Sequence, residues 1–331
     1  MGVMLPLTKK NNYQATILVC GGTKGEKSTQ YDTIGDERCI TIDFSKQNPT
    51  WEQSTNMLSG RVMPVSTILA DGTILWTGGS DWGLAGGDAG VYNNGPNPVF
   101  ASEIYNPFTN TWTAVARTTV ARLYHSGQTL LDDGRAVITG SEMQNYIDGT
   151  DQTKAKACFP TVNVACTDPF EYRMEVFEPP YMFINVETPV IQKAPSAVTY
   201  QSKFAVLTTT DATKISNVSL IRYASSTHST NTDQRFVEAE IVSRNSSYIL
   251  LQAPGNANLA PPGNYHLFLL RDGKPSVAKM IQIGSGAVTN DPGPANPYVP
   301  TNPNDPTKND ASHSFASAGL AVFVIMSMIF F

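Results

Sequence analysis

The chain has 331 residues, of which 41% are hydrophobic and 15% charged, a composition that can form ordinary globular cores in two domains. A net charge of -5, without any run of Lys or Arg, argues against nucleic-acid binding. Short apolar runs rich in Thr, Val and aromatic residues alternate with Gly and Pro turn signals, without a sustained amphipathic helix. The sequence therefore predicts an all-β protein.

The first ten residues carry no targeting signal. They lack the basic segment and apolar core of a secretory signal peptide. Gly2 does not start a myristoylation motif, because Pro6 occupies the position where that motif has Ser or Thr.

A pattern repeats in the first half of the chain at an offset of 61 to 62 residues. Each copy contains an aromatic residue, an arginine, an apolar strand, an Asp-Gly turn, a second strand and a small-residue stop. The copies are Trp51, Arg61, Asp71-Gly72 and Gly78-Gly79, then Trp112, Arg122, Asp133-Gly134 and Gly140-Ser141. A third, partial copy spans residues 13–22. The pattern is typical of kelch-like β-propeller blades, and the alternative is a β-sandwich whose hairpins resemble one another by coincidence.

Residues 1–176 are therefore predicted to form about three propeller blades. A closed propeller has about four to eight blades, because each blade buries its faces only against its neighbours. We expect that further blades precede residue 1.

The four cysteines form two local pairs, Cys20 with Cys39 and Cys158 with Cys166. Two disulfides are the simpler interpretation. A zinc site is the competing one, but neither pair has CxxC spacing and no histidine lies near either pair. Glycosylation sequons at Asn217 and Asn245 are also compatible with export.

The repeat stops near Phe177, and several strands without it follow. They are predicted at residues 203–209, 215–223, 235–242, 248–252 and 264–270. Their spacing predicts an immunoglobulin-like sandwich over residues 177–284.

The C-terminal end has two segments of unusual composition. Residues 285–316 form a Pro/Asn-rich linker that cannot bury a core. Residues 317–331 are apolar, uncharged and too short to span a bilayer, so they favour a GPI-attachment signal with its site at Asn309, Asp310 or Ala311. A tail anchor or a buried strand is the alternative. A GPI signal requires the secretory route, which also indicates a missing N-terminus.

Three histidines precede the linker: His125, His228 and His266. His125 follows Tyr124 ahead of a predicted propeller strand, and His228 lies in Thr-His-Ser at a predicted loop tip of the sandwich. Two imidazoles and a phenolate are a mixed donor set that suits Cu(II). Taken alone, an isolated Tyr-His pair is more often structural.

Five segments, in the same order, resemble glyoxal oxidases and galactose oxidases, the copper radical oxidases. They span residues 4–22, 121–135 (ARLYHSGQTLLDDGR), 171–182 (EYRMEVFEPPYM), 227–235 (THSTNTDQR) and 260–283. The resemblance implies that Tyr124 is an axial phenol that accepts the substrate's proton and that His125 and His228 are equatorial copper ligands. His266 matches no ligand position, which favours a packed or surface histidine.

The same resemblance implies a partial propeller followed by an early-set sandwich, in an extracellular or cell-surface monomer. The implied reaction oxidises small aldehydes (glyoxal, methylglyoxal) to carboxylic acids and reduces O₂ to H₂O₂. The family's Cys-Tyr radical cofactor matches no segment here, so we expect no competent catalyst in these 331 residues. The alternative is a non-catalytic, GPI-anchored surface protein. One departure is Glu142-Met143, where relatives often have Asn-Pro, and Glu142 is expected to be solvated.

Overall fold

The computed structural model describes residues 1–24, 33–83, 97–141 and 171–284. Cys158, Cys166, the Glu142-Met143 departure, the linker and the apolar C-terminus lie outside these residues. The described part falls within one compact unit, Met1–Ala295. It is built from strands, with only two short 3₁₀ helices, Pro180–Phe183 and Ala212–Lys214. None of the helices in the described ranges has the length and apolar character needed to cross a bilayer.

Three antiparallel sheets follow one another along the first half of the chain, and each strand pairs with the next one in sequence. The first contains β1 (Gly2–Met4), β2 (Thr16–Cys20), β3 (Cys39–Asp43) and β4 (Trp51–Gln53). The second contains β5 (Val65–Ile68), β6 (Ile74–Thr77), β7 (Glu103–Asn106) and β8 (Thr111–Ala114). The third contains β9 (Gly127–Leu130), β10 (Ala136–Thr139) and β11 (Glu175–Phe177). These up-and-down sheets are the predicted propeller blades.

The sequence repeat and the blades are out of phase, which corrects the predicted blade limits. Trp51 lies on β4 and Trp112 on β8, so each tryptophan belongs to the outer strand of the preceding blade. The repeat is visible because an outer strand always leads into the inner strand of the next blade. The partial copy at residues 13–22 is in fact the second strand of a four-stranded blade.

A backbone contact repeats between neighbouring blades. The amide of Gly22 donates to the carbonyl of Arg61 at 3.0 Å, and the amide of Gly79 donates to the carbonyl of Arg122 at 2.7 Å. At Gly78, φ is +64° and a Cβ would lie 2.6 Å from the Arg122 carbonyl oxygen. The small-residue stop is therefore required by the close approach of the next blade.

Each of these arginines also ties its own blade together. The Arg61 guanidinium donates to the carbonyls of Gly78 and Ala101 and pairs with Glu103. Arg122 donates in the same way to Gly140, Arg173 and Glu175. Both arginines are fully buried, so these contacts satisfy groups that could not be left unpaired.

The predicted Cys20–Cys39 disulfide is present and joins paired residues on β2 and β3. The sheet register places the two Cα atoms 4.2 Å apart. Both cysteines are buried in the core of the blades, so this covalent link lies inside the first blade.

The second half forms two sheets and a separate hairpin. In chain order its strands are β12 (Ile191–Lys193), β13 (Ala197–Val198), β14 (Lys203–Thr208), β15 (Asn217–Arg222), β16 (Ser225–Thr227), β17 (Thr230–Thr232), β18 (Phe236–Glu238), β19 (Glu240–Arg244), β20 (Tyr248–Gln252), β21 (Gly263–Arg271), β22 (Lys274–Pro275) and β23 (Lys279–Ile283). One sheet has the order β12-β14-β20-β19 and the other β13-β23-β21-β15-β18, with β22 paired to β21. A buried cluster between them makes the predicted sandwich core.

The single strand predicted at residues 235–242 is wrong. The chain leaves one sheet after β18 and joins the other at β19, with the Ala239 amide bonded to the Val218 carbonyl at 2.9 Å. The continuous β-prone sequence of this segment cannot indicate such a switch, because apolar residues of both strands pack into the same core.

Strand β21 is buried on both faces, and this places the sandwich against the blades. Leu267 and Leu269 belong to the sandwich core, whereas Phe268 and Leu270 belong to the core of the propeller blades. Successive side chains on a strand point to opposite faces, so one strand serves both cores.

Candidate functional site

Tyr124 and His125 lie in a tight turn that leads into the inner strand β9. The Leu123 amide donates to Ser141 Oγ at 2.8 Å, and the Ser126 amide donates to the Leu123 carbonyl at 3.2 Å. Leu123 and Ser126 are buried, whereas Tyr124 is half-buried and His125 exposed. The turn is thus fixed at both ends and presents the two rings at the surface.

The backbone of His125 is left-handed, with φ of +58°. Met63 has φ of +54° at the same position, two residues before the inner strand of the neighbouring blade. The conformation of His125 is therefore a feature of blade architecture rather than strain specific to this site.

His228 lies at the tip of the hairpin formed by β16 and β17. Thr227 pairs with Thr230, so His228 and Ser229 are the two turn residues, and their φ angles are +52° and +57°. Such turns, with positive φ at both positions, strongly favour Asn-Gly. A His-Ser turn is therefore strained, and strain of this kind is concentrated at functional sites.

The hairpin leaves the sandwich and packs against the blades. Ser226 Oγ accepts a hydrogen bond from the Gln128 amide at 3.4 Å, and a Cβ on Gly127 would lie 3.3 Å from the same oxygen. Gln234 Oε1 accepts from the Ile68 amide at 3.0 Å. The predicted loop tip is confirmed, but it contacts β5 and β9 rather than the sandwich.

This packing brings together the three predicted site residues. The ring centroids of Tyr124 and His125 are 3.9 Å apart, those of His125 and His228 are 4.7 Å apart, and those of Tyr124 and His228 are 5.9 Å apart. Thr227 Oγ1 lies 2.7 Å from His228 Nδ1 and orients that ring. Within the described ranges, no group of three or more His, Cys, Asp or Glu side chains is placed to hold a metal ion.

Two buried hydroxyls directly follow the histidines. Ser126 Oγ and Ser229 Oγ have no hydrogen-bond partner in the described part of the chain. A buried polar atom without a partner costs about 1–3 kcal/mol. Each turn therefore contains a buried, unsatisfied hydroxyl that destabilises the fold, which packing alone does not explain.

The third histidine, His266, lies apart from this group. It is buried on β21 and stacks on Tyr223 with centroids 3.8 Å apart, and its Nδ1 is 2.9 Å from Asp132 Oδ1. Burial lowers the pKa of His266, and the Asp132 carboxylate opposes that shift only in part. His266 is therefore a packed residue between the two halves of the fold, one of the two predicted alternatives.

One carboxylate lies close to the Tyr124 turn. The Glu171 amide donates to the Ser141 carbonyl at 2.9 Å, and Ser141 in turn holds Leu123. Hydrogen bonds from Arg173 lower the pKa of Glu171 to about 2. Glu171 is consequently ionised near neutral pH and is poorly suited to act as a general acid or base there.

The residues that dock the hairpin, including Gln128 and Gln234, were not predicted from the sequence. The available signal was the presence of polar residues inside short buried strands, such as Ser66 and Thr67 on β5. Buried polar groups require partners, but the sequence does not say where those partners lie.

The family model for the glyoxal oxidase N-terminus matches residues 1–181, and the model for the galactose oxidase-like early set domain matches residues 188–283. The chain belongs to the glyoxal oxidase family. The two matched ranges cover the blades and the sandwich, in the order that the resemblance implied.

Curated relatives support this membership. The aldehyde oxidase GLOX of Vitis pseudoreticulata is 30% identical over 299 residues, which cover 85% of this chain and 53% of that protein. A WSC domain-containing protein of Arthroderma benhamiae is 29% identical over 288 residues, which cover 86% of this chain and 28% of that protein. The chain thus spans about half or less of the length of these relatives.

A solved structure has the same fold. It is a fungal alcohol oxidase described as a member of the AA5 family in complex with copper, with a TM-score of 0.65 and 21% identity. The match covers 86% of this chain and 54% of that one. It supports the propeller-plus-sandwich architecture.

Proposed function

We propose that this chain supplies the copper-binding half of an oxidase that converts small aldehydes, such as glyoxal and methylglyoxal, to carboxylic acids. The observation that carries the proposal is the convergence of Tyr124, His125 and His228, whose ring centroids lie within 5.9 Å although the residues come from a blade and from a hairpin of the sandwich segment. The names of the relatives, an aldehyde oxidase and a copper-bound alcohol oxidase, support the class of reaction.

The residues fit a copper ion. Metal–imidazole bonds are about 2.0 Å long, so two rings with centroids 4.7 Å apart can both reach one ion. Two imidazoles and a phenolate suit Cu(II), which tolerates open positions for substrate. Both histidines are exposed, so a small aldehyde has access.

The roles of the three residues follow from their chemistry. When bound, copper would supply one-electron redox chemistry. His125 and His228 would hold the ion, and the Tyr124 phenolate oxygen would accept the proton that the hydrated aldehyde loses. In the overall reaction an aldehyde, water and O₂ give a carboxylic acid and H₂O₂, so two electrons pass from the aldehyde carbon to O₂.

A second one-electron centre is therefore needed, and we propose that these 331 residues do not provide it. The implied centre is a tyrosine joined to a cysteine by a thioether. Within the described residues both cysteines, Cys20 and Cys39, are bonded to each other. We therefore expect copper binding without aldehyde turnover in this chain.

We also propose that the protein works outside the cytosol. The buried Cys20–Cys39 disulfide supports this proposal, since such bonds form and persist in oxidising compartments. A GPI anchor and a monomeric state are part of the same proposal. Release of the chain from membranes by phospholipase tests the anchor, and the sedimentation coefficient of the released chain tests the monomeric state.

Cu(II) titration of the purified chain tests the proposed function. We expect one ion per chain, with binding weakened at least about 100-fold in His125→Ala and in His228→Ala, because each removes a ligand. His266→Gln is the matched control and should bind like wild type. Equal binding by all four proteins would refute the ligand set. Release of H₂O₂ from glyoxal by the copper-loaded wild-type chain would refute the expected lack of turnover.

A further inference from the structure

We infer that Asn231 is a positioning residue that sets the separation between His125 and His228. The inference rests on the proposed function, because it concerns how the two proposed copper ligands are held. Asn231 lies on β17, three residues after His228, and is 6% exposed.

Asn231 joins the hairpin to two blades at once. Its Nδ2 donates to Thr67 Oγ1 on β5 at 2.9 Å and to the Gln128 carbonyl on β9 at 3.2 Å. Thr67 Oγ1 in turn donates to the same Gln128 carbonyl at 3.1 Å. All three residues are buried, so these bonds are shielded from competing water.

The position of this junction relative to the histidines is symmetric. Asn231 lies three residues after His228, and Gln128 lies three residues after His125. Asn231 bonds directly to the Gln128 carbonyl, so each histidine precedes one partner of this hydrogen bond by three residues. The bond therefore joins the two chain segments at the same sequence separation from the two histidines.

The surrounding contacts hold Gln128 in place. Its side-chain Nε2 donates to the Leu75 carbonyl at 3.2 Å, and its Oε1 accepts from Thr77. The other polar atom of the Asn231 amide, Oδ1, is buried without a partner in the described part of the chain. The hydrogen bonds of this side chain are therefore those that Nδ2 donates to the two blades. A side chain that served packing alone would not require this geometry.

The test uses the full chain, Cu(II) as the probe and Asn231→Ala as the main variant. We expect the wild-type EPR spectrum to contain superhyperfine coupling to two nitrogens and the variant spectrum to contain coupling to one. The Cu(II) dissociation constant should rise by about 10- to 100-fold, as for other residues that orient ligands. Thr232→Ala is the matched control, because Thr232 bonds only to Ser225 within the same hairpin.

Thr67→Val provides a second variant if Asn231→Ala fails to fold. Valine has the same shape as threonine but offers no acceptor to Asn231, so a smaller rise in the dissociation constant is expected, with altered nitrogen coupling. Wild-type coupling and affinity in the variants that fold would overturn the inference. A wild-type EPR spectrum without coupling to two nitrogens would instead refute the proposed function. In that case His125 and His228 do not bind copper together, and Asn231 has no ligand pair to position.

Discussion

At the residue scale, a buried arginine organises each blade. Arg61 and Arg122 are visible in the sequence as equivalent positions of the repeat. Their partners Glu103 and Glu175 are not, because they lie 42 and 53 residues further along the chain. Unequal insertions between the second and third strands remove the constant offset, so sequence spacing could predict the cations but not the carboxylates that neutralise them.

Replacing Arg61 by methionine should therefore destabilise the fold strongly. The Arg61 and Glu103 side chains are 0% and 1% exposed, so the substitution leaves an unpaired buried carboxylate. A loss of about 3–5 kcal/mol in the free energy of unfolding is expected from urea titration. Lys46→Met is the matched control, because the Lys46–Glu52 pair is exposed and screened by solvent, so its loss should change stability far less. Similar losses in both variants would contradict this account.

At the element scale, the predicted turns differ in whether their residues suit the backbone conformation. Asp71-Gly72 and Asp133-Gly134 are correctly predicted turns, and both glycines have φ of +85°. The His228-Ser229 turn lies at the predicted loop tip, but it has positive φ at both positions without the Asn-Gly residues that normally adopt this conformation. The proposed role of the His228 imidazole as a copper ligand accounts for this departure, because functional sites are where local preferences are overridden.

Ser229→Gly should stabilise the protein. Glycine adopts positive φ without steric cost, and the substitution also removes a buried hydroxyl that lacks a partner. An increase of about 0.5–1 kcal/mol in the free energy of unfolding is expected after allowance for the extra entropy of the unfolded chain. Ser225→Gly, within strand β16 of the same hairpin, should destabilise by a similar amount. A less stable Ser229→Gly variant would show that the turn is not strained.

At the scale of the whole molecule, the blades and the sandwich share one strand. A short apolar run correctly indicated β21, but both of its faces are apolar, so the sequence could not say that one face contacts the blades. The three site residues were found through their family motifs. The hydrogen bonds that bring His228 from the sandwich segment to His125 were not predicted, because they join residues 98 or more positions apart.

Phe268→Ala should weaken both halves together. Phe268 is fully buried in the core of the blades although it lies on a sandwich strand, so its loss leaves a cavity at the boundary. We expect a cost of about 3–5 kcal/mol and a single transition in calorimetry. Met280→Ala, at an exposed position on β23, should cost less than about 1 kcal/mol. Two separate transitions, with only one shifted by Phe268→Ala, would contradict a shared core.

X-ray absorption spectroscopy of the copper-loaded chain tests the proposed ligand set, because it counts the ligands at the metal. Two imidazoles and an oxygen donor are expected in the wild-type protein. One imidazole is expected in His125→Ala and one in His228→Ala, with each loss leaving the other ring bound. A wild-type site with sulfur ligands, or with the same number of imidazoles in all three proteins, would contradict the proposed ligand set.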